Sequence, residues 1–230
     1  MLKASLAVLT LAALVTTPAH ALAKRKDAAA EAAAPAVAAA GAFTPVNYDV
    51  TQDRENILVL DLSNGQRVQI RLMPQWAPEH VARVKTLASQ GFYNNVIFHR
   101  VIDGFMAQTG DPTGTGQGGS ELPDLKAEFN AQPHLRGTVS MARAASEDSA
   151  NSQFFVVFYP RFSLDKKYTV FGRVIDNMAA VDAIQKGEPP ENPTRIVQAS
   201  LASENKPVPA IVAPAAPAIT ADDLNRPIGN

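Results

Sequence analysis

One residue stands out chemically in this 230-residue chain: Arg100, set in the run Phe98-His99-Arg100-Val101-Ile102-Asp103-Gly104-Phe105-Met106-Ala107-Gln108. An arginine keeps its charge in any protein environment, and it is rarely placed among large apolar side chains without a reason. Two readings of Arg100 stand on spacing alone. It pairs with an acid such as Asp103, Asp111 or Glu128 and snorkels to the surface, or it is held beside an apolar surface to act on a bound ligand. A second set of residues that could line the same surface lies in Ser140-Met141-Ala142-Arg143-Ala144 and Gln153-Phe154-Phe155-Val156-Val157, with Leu164 beyond. On pattern alone, ordinary core packing is the favoured reading of Met141, Phe155 and Leu164.

Several other chemistries are excluded or disfavoured. The chain has no cysteine, which removes thiol nucleophiles, disulfides and Cys-zinc sites. The segment Gly110-Asp111-Pro112-Thr113-Gly114-Thr115-Gly116-Gln117-Gly118-Gly119 is glycine-rich but lacks the Lys-Ser/Thr pair of a phosphate-binding P-loop, so it reads as a surface loop. Ser140, Ser149 and Ser152 coexist with His80, His99 and His134, yet no G-x-S-x-G elbow surrounds any of these serines. No two histidines sit at metal-ligand spacing on one element. With 21 basic and 22 acidic residues the net charge is -1, which argues against a nucleic-acid binder.

The elements that must position Arg100 follow from periodicity. Phe98, Arg100 and Ile102 alternate with His99 and Val101 along a strand, and Asp103-Gly104 is a hairpin turn into a second strand carrying Phe105, Met106 and Gln108. Upstream, Ile57 to Leu62 and Arg67 to Leu72 form strands joined at Asn64-Gly65. A helix starts at Ala77-Pro78-Glu79, presents Val81, Val84, Leu87 and Ala88, and stops at Gly91. Further strands fit Gly137 to Met141, Gln153 to Phe158, Thr169 to Val174 and Arg195 to Leu201, with a second helix over Met178 to Gln185 stopped by Gly187. Many short strands and two helices that do not alternate with them predict a mainly β fold, a closed antiparallel β-barrel capped by the helices.

The ends read differently. Residues 1–21 have the form of a signal peptide: Lys3, an apolar run from Ala4 to Val15, and Pro18-Ala19-His20-Ala21 as a cleavage site, which predicts an exported, periplasmic protein. The apolar run is too short for a membrane span, and none is expected in the mature chain. Residues 22–42 are an Ala-rich flexible linker, residues 43–203 the folded domain, and residues 204–230 a Pro/Ala-rich disordered tail.

Taken together, the Phe98 to Gly119 run, Ser140-Met141-Ala142-Arg143-Ala144 and Ser152-Gln153-Phe154-Phe155-Val156-Val157-Phe158 resemble the cyclophilins, the peptidyl-prolyl cis-trans isomerases. The resemblance runs from about Ile57 to Leu201, through Leu125-Lys126-Ala127-Glu128-Phe129 and Tyr168-Thr169-Val170-Phe171-Gly172-Arg173-Val174. It implies an eight-stranded barrel, no cofactor or metal, and a groove on the outer barrel surface for proline-containing polypeptides. It makes Arg100 the catalytic arginine. Phe105, Met106, Phe155 and Leu164 become the proline pocket and Gln108 a polar groove residue. Ala142, Arg143 and Ala144 become the strand that pairs with substrate backbone. Tyr168 stands where many members have a groove histidine, and Ser163 beside Phe162 where many have tryptophan; Trp76, ahead of the first helix, cannot substitute, so weak cyclosporin binding is implied. A monomeric isomerase assisting the folding of exported proteins is the leading expectation; a non-catalytic proline-motif binder or holdase using the same groove is the alternative.

Overall fold

The structure is a computed structural model that describes residues 46–210. The expected signal peptide, the Ala-rich linker and most of the expected tail therefore lie outside the described residues. Strands β1 (Ile57–Leu62) and β2 (Arg67–Leu72) form the first hairpin, followed by helix α1 (Pro78–Ser89), the hairpin β3 (Arg100–Ile102) and β4 (Met106–Thr109), then β5 (Thr138–Met141) and β6 (Phe154–Val157). After these come β7 (Val170–Asp176), a short α2 (Met178–Asp182) and β8 (Ile196–Leu201).

All eight strands join one sheet in the order β3-β4-β6-β5-β7-β2-β1-β8, every neighbouring pair antiparallel. The sheet curls into a half-barrel. It does not close as expected, because no ladder joins β3 to β8; the gap is spanned by the isolated bridge Ile97↔Arg195, and the outer edge of β3 meets the turn after α2 through Val101↔Gly187. A strand of three residues offers too few backbone groups to extend a ladder further.

Period-two alternation fills the concave side. Leu58, Leu60 and Leu62 of β1, Val68, Ile70 and Leu72 of β2, Ala107 of β4, and Phe154 and Val156 of β6 all enter one core cluster. Helix α1 lays Val81, Val84, Leu87 and Ala88 into the same cluster. Its N-cap position is Ala77, which has no side-chain oxygen to offer. The Glu128 carboxylate takes over, accepting from the backbone N–H of Glu79 (3.2 Å) and His80 (3.1 Å) and from the His80 ring (2.6 Å). A carboxylate there also complements the positive end of the helix dipole.

Several boundaries differ from expectation by one or two residues, Phe105 falling in the turn before β4 and β7 running on to Asp176, and two differences have a clear cause. Phe98 joins the core cluster with Val101 instead of sharing the Arg100 face, because regular strand begins only at Arg100 and the Phe98 N–H is tied to the Thr194 carbonyl (2.9 Å). Helix α2 ends at Asp182, three residues early, since the Gln185 N–H donates to Thr194 Oγ1 (3.2 Å) outside the helical ladder. The chain past β8 is anchored at first: Arg54 donates to Asn205 Oδ1 (2.8 Å) and Gln198 to the Pro207 carbonyl (3.1 Å).

Candidate functional site

The residues that alternate away from the core build the site. Directly opposed residues of antiparallel strands share a face, and the register Arg100↔Gln108, Gln108↔Phe155, Phe155↔Ser140 makes one row across four strands. A second row runs Ile102↔Met106↔Val157. Phe155 and Met106 thus emerge on the convex face of the sheet, while their neighbours Phe154 and Ala107 go to the core. Phe105 sits in the β3–β4 turn, closed by its N–H on the Ile102 carbonyl (3.0 Å), where Gly104 supplies the positive φ of +66°.

Arg100, Phe105, Met106, Gln108, Ala142, Arg143, Phe155, Leu164 and Tyr168 line one pocket of about 140 Å³. That volume is well below the ~300–1,000 Å³ of drug-sized sites and suits one small apolar group. Every residue expected at the site is in this wall except Ala144, which borders the neighbouring recess. β5 ends at Met141, so Ala142, Arg143 and Ala144 lie beyond the ladder and do not form the expected strand. The Ala142 N–H is bound to the Gln153 carbonyl (2.9 Å) and the Ala144 N–H to Ser149 Oγ (3.0 Å). Tyr168 meets Phe155 edge-on with ring centroids 5.6 Å apart, and the Arg143 guanidinium lies 4.9 Å over the Tyr168 ring. Trp76 is buried with Met73 and Val170 in a cluster that shares no residue with the pocket.

Behind Phe155 stands a polar triplet, two buried groups and one half-buried carboxylate, that the sequence did not reveal. The His134 ring lies nearly parallel to Phe155, 6.2 Å away, and its Nδ1 meets Asp165 Oδ1 at 2.8 Å while Nε2 meets Ser140 Oγ at 2.9 Å. The linkage has the order of a hydrolase triad, but Ser140 and His134 are fully buried, so the serine cannot reach a substrate. Burial lowers the His134 pKa, with Asp165 opposing, so the neutral ring holds the aromatic wall in place.

Beside the pocket lies a polar recess of about 450 Å³, sharing Gln108, Ala142 and Arg143 and otherwise formed by Gly116 to Ser120, Asp124, Ala144, Ser149, Asn151 and Gln153. Asp111 organises its loop, accepting from the N–H groups of Thr113 (2.8 Å), Gly116 (2.6 Å) and Gly118 (3.1 Å). Burial alone would raise the Asp111 pKa, but Thr113 and these amides bring it down to about 2. Gln153 ties the loop to the pocket, donating to the Gly116 and Gly118 carbonyls and accepting from Gln108 (2.9 Å).

None of the acids considered from spacing pairs with Arg100. Asp103 is exposed opposite Lys186 (4.0 Å), Asp111 holds the loop, and Glu128 caps α1. The partner is Glu188, whose Oε2 accepts from Arg100 Nε at 2.7 Å. Glu188 is 88 residues away in sequence, and no local pattern signals the contact. Among the described residues no group of acidic, histidine or cysteine side chains could hold a metal ion.

Comparison with known proteins agrees with this geometry. Residues 57–201 match the family described as cyclophilin type peptidyl-prolyl cis-trans isomerase/CLD. A probable peptidyl-prolyl cis-trans isomerase of Brucella suis is 44% identical over 189 residues, covering 73% of this chain and 96% of its own. A peptidyl-prolyl cis-trans isomerase-like 1 protein of Aspergillus fumigatus is 38% identical over 156 residues, covering 64% of this chain and 96% of its own. Among solved structures, a Hirschia baltica cyclophilin superposes with a TM-score of 0.62 at 29% identity, covering 67% of this chain and 77% of that one. A Cryptosporidium parvum cyclophilin type isomerase, crystallised in the presence of the dipeptide Ala-Pro, gives 0.59 at 28% identity, covering 63% and 98%. With an eight-stranded antiparallel sheet, an arginine-edged apolar pocket on its convex face and a family match across the whole sheet, the chain belongs to the cyclophilin-type peptidyl-prolyl cis-trans isomerases.

Proposed function

We propose that this isomerase grips a substrate proline ring in the pocket of Phe105, Met106, Phe155 and Leu164 while Arg100 stabilises the twisted amide that precedes it. Rotation about an X–Pro bond faces a barrier of ~18–20 kcal/mol, so an uncatalysed bond exchanges over tens of seconds. In the twisted transition state the prolyl nitrogen regains its lone pair. A donor aimed at that nitrogen binds this form better than either planar isomer, and no covalent bond need break. Millisecond turnover requires roughly a 10⁴-fold acceleration, about 5–6 kcal/mol.

The observation that carries this reading is the cross-strand row Arg100–Gln108–Phe155, which sets a fixed charge at the rim of an apolar pocket. The guanidinium's planar fork can also hold the carbonyl before the proline. The Ala-Pro dipeptide named for the Cryptosporidium parvum structure supports proline-containing peptides as substrates. The recess beyond Gln108 would take chain that continues past the ring. The working unit we propose is a monomer, since this chain supplies a complete pocket wall.

The signal-peptide pattern of residues 1–21 supports action on exported, periplasmic polypeptides whose folding waits on proline isomerisation. The test of the site is the cis/trans exchange of a short X–Pro peptide followed by NMR exchange spectroscopy. Wild type accelerates exchange and Arg100→Ala loses about 10²-fold or more, the usual cost of removing one transition-state donor. Near-normal exchange with Arg100→Ala would overturn the assignment.

A further inference from the structure

We infer that Glu188 is a positioning residue for Arg100, fixing the plane of its guanidinium through Nε so that both terminal nitrogens point to the substrate; this rests on the reading of Arg100 given above. The physical problem is one of freedom. Arg100 sits on a three-residue strand at the edge of the sheet with 42% of its side chain exposed. An unrestrained arginine in that setting samples many rotamers, and each productive encounter would have to freeze them.

The Glu188 contact removes that freedom selectively. Among the described residues, the Nε–Oε2 bond of 2.7 Å is the only hydrogen bond the Arg100 side chain makes. Nε joins the guanidinium to its stem, so a bond there restrains the last torsions while leaving both terminal NH₂ groups unengaged. Glu188 itself is absent from the pocket wall, so it acts through Arg100 and not on the substrate.

Glu188 is delivered by rigid backbone. Val101, the residue after Arg100, exchanges both backbone hydrogen bonds with Gly187, the residue before Glu188 (2.8 and 2.9 Å). Gly187 has a φ of +144°, and a Cβ there would come within 2.5 Å of Pro190 Cα, so the turn is packed too tightly for any other residue. Pro189 and Pro190 follow at once and limit the chain on the other side. The short stretch is therefore pre-organised to hold a carboxylate against the edge of β3.

Fold stabilisation does not account for the pair. Glu188 is 49% exposed and Arg100 42%, and an ion pair so open to water contributes little to folding. What it can do is align a planar fork, for which arginine and carboxylate are geometrically matched.

The experiment uses the full chain in four forms: Glu188→Ala, Glu188→Gln, Arg100→Ala and the double variant Glu188→Ala/Arg100→Ala. Exchange spectroscopy across X–Pro peptide concentrations separates kcat from KM. Glu188→Ala is expected to lower kcat about 10-fold, less than the ~10²-fold that a 1 Å misplacement can cost, with KM within about 2-fold. Glu188→Gln, whose amide oxygen accepts the same bond, should return kcat to within about 3-fold of wild type. The Arg100 Nε–H resonance should be resolved and slow to exchange with water in wild type and Glu188→Gln, and lost to fast exchange in Glu188→Ala. In the double variant, Glu188→Ala should add no loss to that of Arg100→Ala. An unchanged kcat in Glu188→Ala beside an inactive Arg100→Ala overturns the positioning role alone, as does a loss confined to KM, a Gln variant as poor as Ala, or an added loss in the double variant. Full turnover by Arg100→Ala overturns the role of Arg100, and this inference with it.

Discussion

The apolar pocket and the polar recess share Gln108, Ala142 and Arg143, yet they are held in place by opposite means. The pocket is made largely of side chains that strand alternation throws outward, and one wall, Phe155, is 5% exposed and stacked on the His134 ring. The recess is made of loop backbone gathered on one carboxylate, Asp111, and two amides, Asn151 and Gln153. The first is stabilised by packing, the second by hydrogen bonds. Each should therefore fail separately and in its own way, leaving a fixed apolar pocket beside a surface that can be reshaped with little effect on it.

The largest effect that bears on this contrast comes from the pocket. Phe155→Ala should cost about 3–5 kcal/mol of stability, as for a large-to-small change in a packed cluster, and abolish detectable peptide binding. Urea denaturation and a peptide titration check it; a loss of stability below ~1 kcal/mol would mean that Phe155 is not packed as described. Next comes Asp111→Ala, which leaves the partly buried amides of Thr113, Gly116 and Gly118 without their acceptor and should cost about 1–3 kcal/mol. Hydrogen exchange should speed up at the Gly116 and Gly118 amides and stay unchanged at Phe155 and Met106. Equal acceleration at both would break the distinction between the two regions.

Acid should separate the same supports with smaller effects. Burial lowers the pKa of His80, His99 and His134 below the unfolded value of 6.5. Each therefore binds its proton less readily when folded, so their contribution is complete above that value and declines as pH falls toward the folded ones. Asp111, at about 2 against an ordinary 3.8, contributes fully above pH ~4 and loses that contribution only as pH falls toward 2. Stability measured between pH 7 and 5 should thus fall while the Gly116 and Gly118 amides stay protected. Release of those amides near pH 5 would contradict this order.

The same contrast explains what was legible in the sequence. Period-two patterning located β1 and β2 to the residue and put Arg100, Met106 and Phe155 on the strands that carry them, because burial on one side of a sheet is written into alternate residues. The turn at Asp103-Gly104 and the proline at the start of α1 were likewise readable from local conformational preference. Phe98 was misplaced because alternation says nothing about where a ladder starts. Barrel closure failed as an expectation because it depends on whether two distant edges meet, which strand patterning does not encode. Glu128 on α1, Asp165 on His134 and Glu188 on Arg100 were invisible for a related reason: each joins segments 31 to 88 residues apart through one side chain, without periodicity to announce it.

The role proposed for Arg100 is to act on the twisted amide and not merely on peptide affinity. Line-shape analysis of an X–Pro peptide titrated with wild type and with Arg100→Ala gives the Kd of each isomer and the exchange rate on the enzyme in one experiment. Removing a donor to the twisted amide, as in Arg100→Ala, should lower the on-enzyme rate by about 10²-fold or more, with both Kd values within a few-fold of wild type. An on-enzyme rate that survives the substitution, with the loss confined to Kd, would contradict that role.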